Sequence, residues 1–454
     1  MGSRTRKGVP RRALAAVLAA GVAIGAFAGA ALLVGAAPEP AGGPSPTVLH
    51  AAPALVDANR AVALAVATVC VEPDNDNCVV QEASVFVRPA NTSSWTEVVG
   101  RVAQGAYRFE IAPQLVPIDG FSYWFRLRTR AGSDVEYPPG GQMSPIRVLT
   151  TAALPVRSLA AFDWDVRERP EATVLKAGYG DGVGQVGRRP GRVDEPPQGP
   201  SSFDVGSDGS IYVVDWINRR IQIFAPSGGA RRALPLPERR PMDLAVAPDG
   251  GLDVATFGTE ATAYELDEAG RVLGRYPVAY GVVARVAVTP AGPRVLTGPS
   301  QWSSVRASMG QALSAEAQAA TQVTAIPPSS GQLAVSQELP GARIAFVWSR
   351  TDGSRGGAIV TLPPHVSAGS DFFVRPTLDG GAIAARGLWD RTHNGVGVFR
   401  FDALGRIASF QLLPEPSVEQ DARFSTVRFQ APGSVLVVFG DAHGFRIDRF
   451  EVNR

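Results

Sequence analysis

The feature that most limits what this chain can fold into is a string of short strand-like runs that recurs through its C-terminal part. It is clearest in residues 195–224, E-P-P-Q-G-P-S-S-F-D-V-G-S-D-G-S-I-Y-V-V-D-W-I-N-R-R-I-Q-I-F. A Pro/Gly entry leads to an apolar run at 203–205, a turn at Ser207-Asp208-Gly209, a run at 211–214, a polar loop at 215–219 and a third run at 221–224. Short β-type runs separated by tight turns predict an antiparallel meander. The pattern returns, more weakly, at 243–246, 285–288, 333–335, 372–375 and 427–429. With Asp204, Leu244, Val286, Ala334, Val374 and Arg428 as reference points, the steps are 40, 42, 48, 40 and 54 residues. Each step accommodates one four-stranded sheet, so the pattern predicts six sheets.

The motifs G-P, D-G, I-Y-V-x-D and N-x-R-I-x-x-F, in this order within residues 195–224, resemble the NHL repeat, whose units form the blades of β-propellers. The resemblance implies architecture and leaves function open. The sixth sheet has three evident strands before the chain ends, and a lone strand-like run, Thr173-Val174-Leu175-Lys176, precedes the first. We expect that run to close the ring as the outer strand of the sixth blade. Two places resist the repeat: residues 311–320 read as helical, and the fourth unit has little room for an outer strand.

In a propeller, the loops between second and third strands share a face with the loops that link blades, and the resemblance implies that ligands bind there. That face would gather Asp215, Trp216, Asn218 and Arg219, then Trp302, then Trp389, Asp390, Arg391 and His393, and finally His443. The glycine- and arginine-rich residues 178–192 would enter the same side. Tryptophan and arginine suit sugar, peptide or polyanion contacts through flat apolar area and forked hydrogen bonds. The plainer account also fits, because Asp and Asn are what turns use to bond their own backbone. Metal chemistry would need His365, His393 and His443 to converge on the axis. No cofactor is demanded by the sequence, and a divalent metal belongs only to the enzymatic alternative. The run G-Y-G-D-G-V-G-Q-V-G lacks the G-K-[ST] of a phosphate loop, and no G-x-S-x-G elbow occurs.

The formal net charge is +2, with acidic and basic residues interspersed, so no basic stripe points to nucleic acid. Arg4, Arg6, Lys7, Arg11 and Arg12 precede an uncharged run from Ala13 to Ala37. Both a signal peptide cleaved after Val34-Gly35-Ala36 and a retained membrane anchor fit this segment, and either places the rest outside the cytoplasm. Arginine outnumbers lysine almost completely, and with abundant Ala, Gly and Pro this is the composition of a high-GC bacterial genome. In such an exported chain the two cysteines, Cys70 and Cys78, are expected to pair. Asp74, Asn75, Asp76 and Asn77 between them are oxygen-rich, but they match no calcium loop and suit any surface turn.

Residues 62–149 alternate apolar and polar in short runs. In 121–128, Phe121, Tyr123, Phe125 and Leu127 fall on one face, opposite Ser122, Trp124, Arg126 and Arg128. The pattern resembles an immunoglobulin or fibronectin type III module. The expected chain is therefore all-β: a signal or anchor segment (1–37), a Pro/Gly/Ala linker (38–58), a β-sandwich (59–152), a second linker (153–170) and a six-bladed NHL-like β-propeller (171–454). The expected role is an exported, membrane-tethered, non-enzymatic binding protein with a protein or glycan partner in the cell envelope. A propeller lyase or lactonase with an axial metal is the alternative, and a functional sandwich on a propeller scaffold is a third reading.

Overall fold

A computed structural model describes residues 45–50, 52–70, 75–103, 105–160, 162–194, 197–238, 240–256, 261–277, 285–287, 294–296, 302–304, 334–350, 354–391, 394–417, 426–430, 433–441 and 443–452. The N-terminal segment, the predicted helix at 311–320 and His393 lie outside them. Among the described residues no helix is long and apolar enough to cross a membrane.

The alternating runs of the first folded region become two sheets over one core. One sheet orders Thr47–His50, Val62–Val69, Ala106–Ile111 and Arg101–Ala103. The other orders Leu55–Val56, Ile146–Thr150, Phe121–Thr129, Val80–Pro89 and Thr96–Val99, with Asp134–Tyr137 also paired to Phe121–Thr129. The expected face of Phe121, Tyr123, Phe125 and Leu127 is buried against Val62, Leu64, Val66, Phe109 and Ile111 of the facing sheet. Full burial of such side chains stabilises the fold by about 1.5–3 kcal/mol each. The strands Thr47–His50 and Leu55–Val56 fall in the stretch expected to be linker. Thr47–His50 supplies His50 to this core, where its Nδ1–H donates to the Ala65 carbonyl and its Nε2 accepts from the Tyr123 hydroxyl, both at 2.6 Å. Cys70 and Cys78 form the expected disulfide, with Cα atoms 5.5 Å apart.

Six further sheets, antiparallel but for one parallel pair in the fourth, follow in a propeller-like arrangement. Their innermost strands are Ser202–Val205, Met242–Val246, Arg285–Ala287, Ala334–Leu339, Ser367–Pro376 and Val427–Gln430, each at one of the six predicted places. We number these sheets as blades one to six. Consecutive blades share apolar cores: Val214, Ile221 and Ile223 with Leu244 and Val254 for the first two, and Phe373 and Val398 with Val435 and Val437 for the last two. The seam between blade six and blade one is built the same way, with Phe445 and Ile447 against Phe203 and Phe224. Closure comes from Ala172–Ala177, which pairs antiparallel with Gly444–Glu451 as the outer strand of blade six. Thr173 clips it by donating its hydroxyl to Asp448 at 2.7 Å.

Blade four departs from the local meander. Its outer strand is Val156–Ser158, which lies parallel to Arg355–Thr361 and comes from the stretch expected to be a second linker. From there the chain runs along the outer edges of the ring. The Phe162 ring meets that of Phe410 on blade five at 4.4 Å, Glu168 N donates to the Leu412 carbonyl, and Glu171 N donates to the Arg449 carbonyl on blade six. This strap explains why the fourth unit has no room for its own outer strand. Gly405 lies so close to it that an added Cβ would sit 2.3 Å from the Gly357 carbonyl oxygen and 3.0 Å from Pro155. The two-sheet region joins blade four through Ala54, Leu55 and Leu154 packed on Ala345, Val347 and Ile359.

Candidate functional site

The face expected to bind ligands is best described at blade one. Asp215 ends the strand Ile211–Asp215 and is fully buried. Its Oδ1 accepts from Gly187 N at 2.8 Å, and its Oδ2 accepts from Asn218 Nδ2 at 2.8 Å and Arg220 Nε at 3.0 Å. Asn218 also donates to the Gly180 carbonyl. Arg220 forks onto the carbonyls of Asp181, Gly182 and Gln185 at 2.9, 3.0 and 2.8 Å. The hairpin thus ties down the glycine-rich residues 178–192. Glycine is required at 187, because a Cβ there would meet Ile217 Cβ at 2.6 Å and Asp215 Oδ1 at 2.8 Å. Val186 is buried in the seam, and Arg188 and Arg189 lie over the rings of Tyr179 and Trp216.

Trp216 is buried as well, its Nε1 donating to the Gly199 carbonyl at 2.9 Å. Of the residues expected at this hairpin, Asp215, Trp216 and Asn218 therefore turn inward to organise the fold, and Arg219 is exposed with φ 58°. On blade five the equivalent hairpin joins Ala382–Trp389 to Asn394–Phe401. Trp389 is 48% exposed there, and Arg391 is exposed beside it. Asp390 is half-buried and engaged with its surroundings. On blade six, His443 is exposed in the turn between Ser434–Asp441 and Gly444–Glu451. Asp441 Oδ1 accepts from His443 N at 2.8 Å and Gly444 N at 3.1 Å, and these backbone bonds hold its carboxyl below the ordinary range. Trp302 lies in the strand Trp302–Ser304, its side chain outside the described residues. His365 is exposed beyond the end of Arg355–Thr361, and no cluster of three metal-ligating residues occurs among the described residues.

A second polar constellation lies on the ring of innermost strands. Asp204 Oδ2 accepts from Val246 N of the next blade at 2.9 Å, and Asp243 Oδ2 accepts from Val286 N of the blade after that at 2.7 Å. Ser202 donates to Asp243 Oδ1 at 2.6 Å, and Ser201 donates to the Met242 carbonyl at 2.7 Å. Arg428, from blade six, reaches the Phe203 carbonyl of blade one at 2.9 Å and the Leu244 carbonyl of blade two at 2.6 Å. It also pairs with Asp204 at 3.2 Å. Carboxylates on a neighbour's backbone N–H groups, Asp243 buried and Asp204 half-buried, are charge-assisted staples between blades. Sequence reading used Asp204 and Arg428 only as reference points of the repeat and gave these residues no role, although a signal was present: a charge in the middle of an apolar inner strand, as in F-D-V, M-D-L and V-R-F.

The two-sheet region carries an aromatic ladder on the face away from its core. Phe86 stacks on Trp124 with ring centroids 4.3 Å apart, Arg126 lies over Phe86 at 4.8 Å, and Arg88 lies over Trp95 at 4.6 Å. Arg126 also pairs with Glu97 at 2.9 Å.

No protein-family model matches the sequence, and no curated protein matches it. Among solved structures, a Bacteroides thetaiotaomicron protein of unknown function aligns over 90% of this chain and 99% of its own, at 10% identity and a TM-score of 0.38. A streptogramin B lyase aligns over 73% of this chain and 90% of its own, at 11% identity and a TM-score of 0.32. Virginiamycin B lyase from Staphylococcus aureus aligns over 86% and 99%, at 8% identity and a TM-score of 0.32. Overlap this loose transfers no chemistry. The propeller-like description rests on the sheet order and on the cores shared between blades.

Proposed function

We propose that this chain is an exported, membrane-tethered binding protein of a bacterial cell envelope, built from an immunoglobulin- or fibronectin-like sandwich and a six-bladed NHL-like propeller. The propeller's loop face recognises a protein or glycan without chemistry. The observation that carries this reading is the hairpin of blade five, which holds Trp389 half-exposed at a strand end with Arg391 exposed two residues on. A large aromatic left in water forgoes burial, and tryptophan and arginine are the residues that most often anchor interfaces. His443, at the matching hairpin of blade six, extends the same loop face.

Binding of the purified protein to cell-envelope glycan fragments and to envelope proteins tests the proposal. Replacing both Trp389 and Arg391 by alanine is expected to weaken binding at least tenfold with folding unchanged. Undiminished binding by that variant would remove the blade-five hairpin from the interface. Export is tested separately by protease accessibility in intact cells, and cytoplasmic protection of the propeller would overturn it.

A further inference from the structure

In blade five the pairs Pro376↔Ala382, Ala382↔Phe401 and Phe401↔Ile407 bring residues 377–381 and 402–406 to one end of the sheet, and Trp389↔Asn394 sets the loop-face hairpin at the other. The strand Ala382–Trp389 separates the two ends by roughly 23 Å. Blades one and two make the same pair of turns. In the first turn Gly206 N, Ala247 N and Thr377 N donate to the carbonyls of Ser210, Gly251 and Gly381. In the second, Ala225 N, Asp267 N and Asp402 N donate to the carbonyls of Gly229, Arg271 and Arg406. Each turn is closed by a glycine at positive φ.

The frames repeat, but their tips differ. The tip residue is Ser207, Pro248 or Leu378 in the first turn and Ser227, Ala269 or Leu404 in the second. The hydrogen bonding of the turn therefore does not call for leucine, and of these three blades only blade five carries it at both tips. There Leu378 is 96% exposed and Leu404 66%. The two tips adjoin, since a Cβ added at Gly380 would lie 3.4 Å from Ala403 Cβ. Blade four pins both turns: Trp348 Nε1 donates to the Gly380 carbonyl at 2.9 Å, and Arg350 Nη2 donates to the Ala403 carbonyl. The acidic neighbours are spent locally. Asp379 accepts from Thr377 Oγ1 and Gly381 N, and Asp402 accepts from Leu404 N, Arg406 N and Arg406 Nε. Two leucines on convex turns offer no recess for a partner's side chain. They suit a fluid apolar phase, which needs no matching shape and binds in proportion to the apolar area buried at the headgroup boundary.

We propose that Leu378 and Leu404 insert into the lipid bilayer and set the propeller on the membrane with its loop face turned away, toward the partner. This rests on the reading that the N-terminal segment anchors the chain. The uncharged run ends at Ala37 and the described chain begins at Ser45, a stretch of eight residues that reaches at most about 29 Å. So short a tether makes a weak second contact intramolecular, and two leucines then suffice.

The test uses the full chain reconstituted into vesicles of equal parts phosphatidylcholine and phosphatidylglycerol. An environment-sensitive fluorophore is placed on Leu378→Cys, Leu404→Cys or Trp389→Cys, the native cysteines being joined to each other. Labels at positions 378 and 404 are expected to shift to shorter wavelength and to lose about half of their emission to nitroxide-bearing lipids, whereas the label at 389 does neither. Adding Leu404→Ser should reduce the quenching at 378, which separates the native leucine from the dye's own affinity for lipid. Either leucine position carries the test if the other variant does not fold. Vesicle-bound chain with labels at 378 and 404 as unquenched as the label at 389 would overturn the proposal and leave the tether standing. So would a shift to shorter wavelength without lipid quenching, which would assign the tips to a second copy of the chain, or quenching at 378 indifferent to Leu404→Ser. A wild-type chain that does not float with the vesicles would remove the tether reading and this proposal with it.

Discussion

The hairpins that link second to third strands in blades one and five occupy equivalent places and have opposite fates. In blade one, Asp215, Trp216, Asn218 and Arg220 are spent on the chain itself, anchoring residues 178–192 and the Gly199 carbonyl. In blade five, Trp389 and Arg391 face water. The residues that match the repeat most closely serve the architecture, while the hairpin that departs from it is left open to solvent. Resemblance to a repeat therefore marks residues spent on the fold rather than residues left exposed.

The strongest way to break this comparison is Asp215→Ala. It removes a buried carboxylate and leaves Arg220 without its counter-charge, so unfolding free energy should fall by about 3–5 kcal/mol, read from the denaturant midpoint. A loss below about 0.5 kcal/mol, the range of an ordinary surface change, would mean that the blade-one hairpin is no more structural than its blade-five counterpart.

A pH titration sharpens the contrast with a group remote from both hairpins. Burial lowers the His50 pKa from 6.5 to about 4, with the hydrogen bond to the Ala65 carbonyl opposing that shift. The unfolded chain therefore binds more protons than the folded one between these values. Stability should decline as pH falls from about 6.5 to about 4, by an amount on the order of 3 kcal/mol, and level off below. In His50→Gln the part of the slope due to this group should vanish. An unchanged slope would show that His50 is not the group responsible.

Trp216→Phe should cost about 1–2 kcal/mol, mainly by leaving the buried Gly199 carbonyl without its donor. Trp389→Ala, the matching change on blade five, should move the melting transition by no more than about 0.5 kcal/mol while weakening partner binding. Equal costs for the two tryptophans would dissolve the distinction between an inward and an outward hairpin.

Much of the architecture was legible in local pattern. Alternation in residues 121–128 assigned the buried face of that strand, and the recurring short apolar runs located the six innermost strands. The incomplete last unit and the orphan run at 173–176 together predicted the strand Ala172–Ala177 on blade six. The candidate site was less legible. A turn motif names Asp215 and Asn218 without saying whether their donors and acceptors are spent, because the partners lie some thirty to forty residues earlier in the chain.

By itself the sequence determined the strand period, the order of the sheets and the pairing of Cys70 with Cys78, since each depends on neighbours along the chain or on a single available partner. Tertiary structure alone decided that Val156–Ser158 completes blade four, pairing with residues just over two hundred positions away. It also decided that Trp216 is buried while Trp389 is not, and that Arg428 of blade six reaches the carbonyls of Phe203 and Leu244 on blades one and two. A three-residue strand carries no period of its own, and an arginine in a strand reads the same whether its surroundings hold an acceptor or lack one. Those outcomes are set by which surfaces come together when the ring closes.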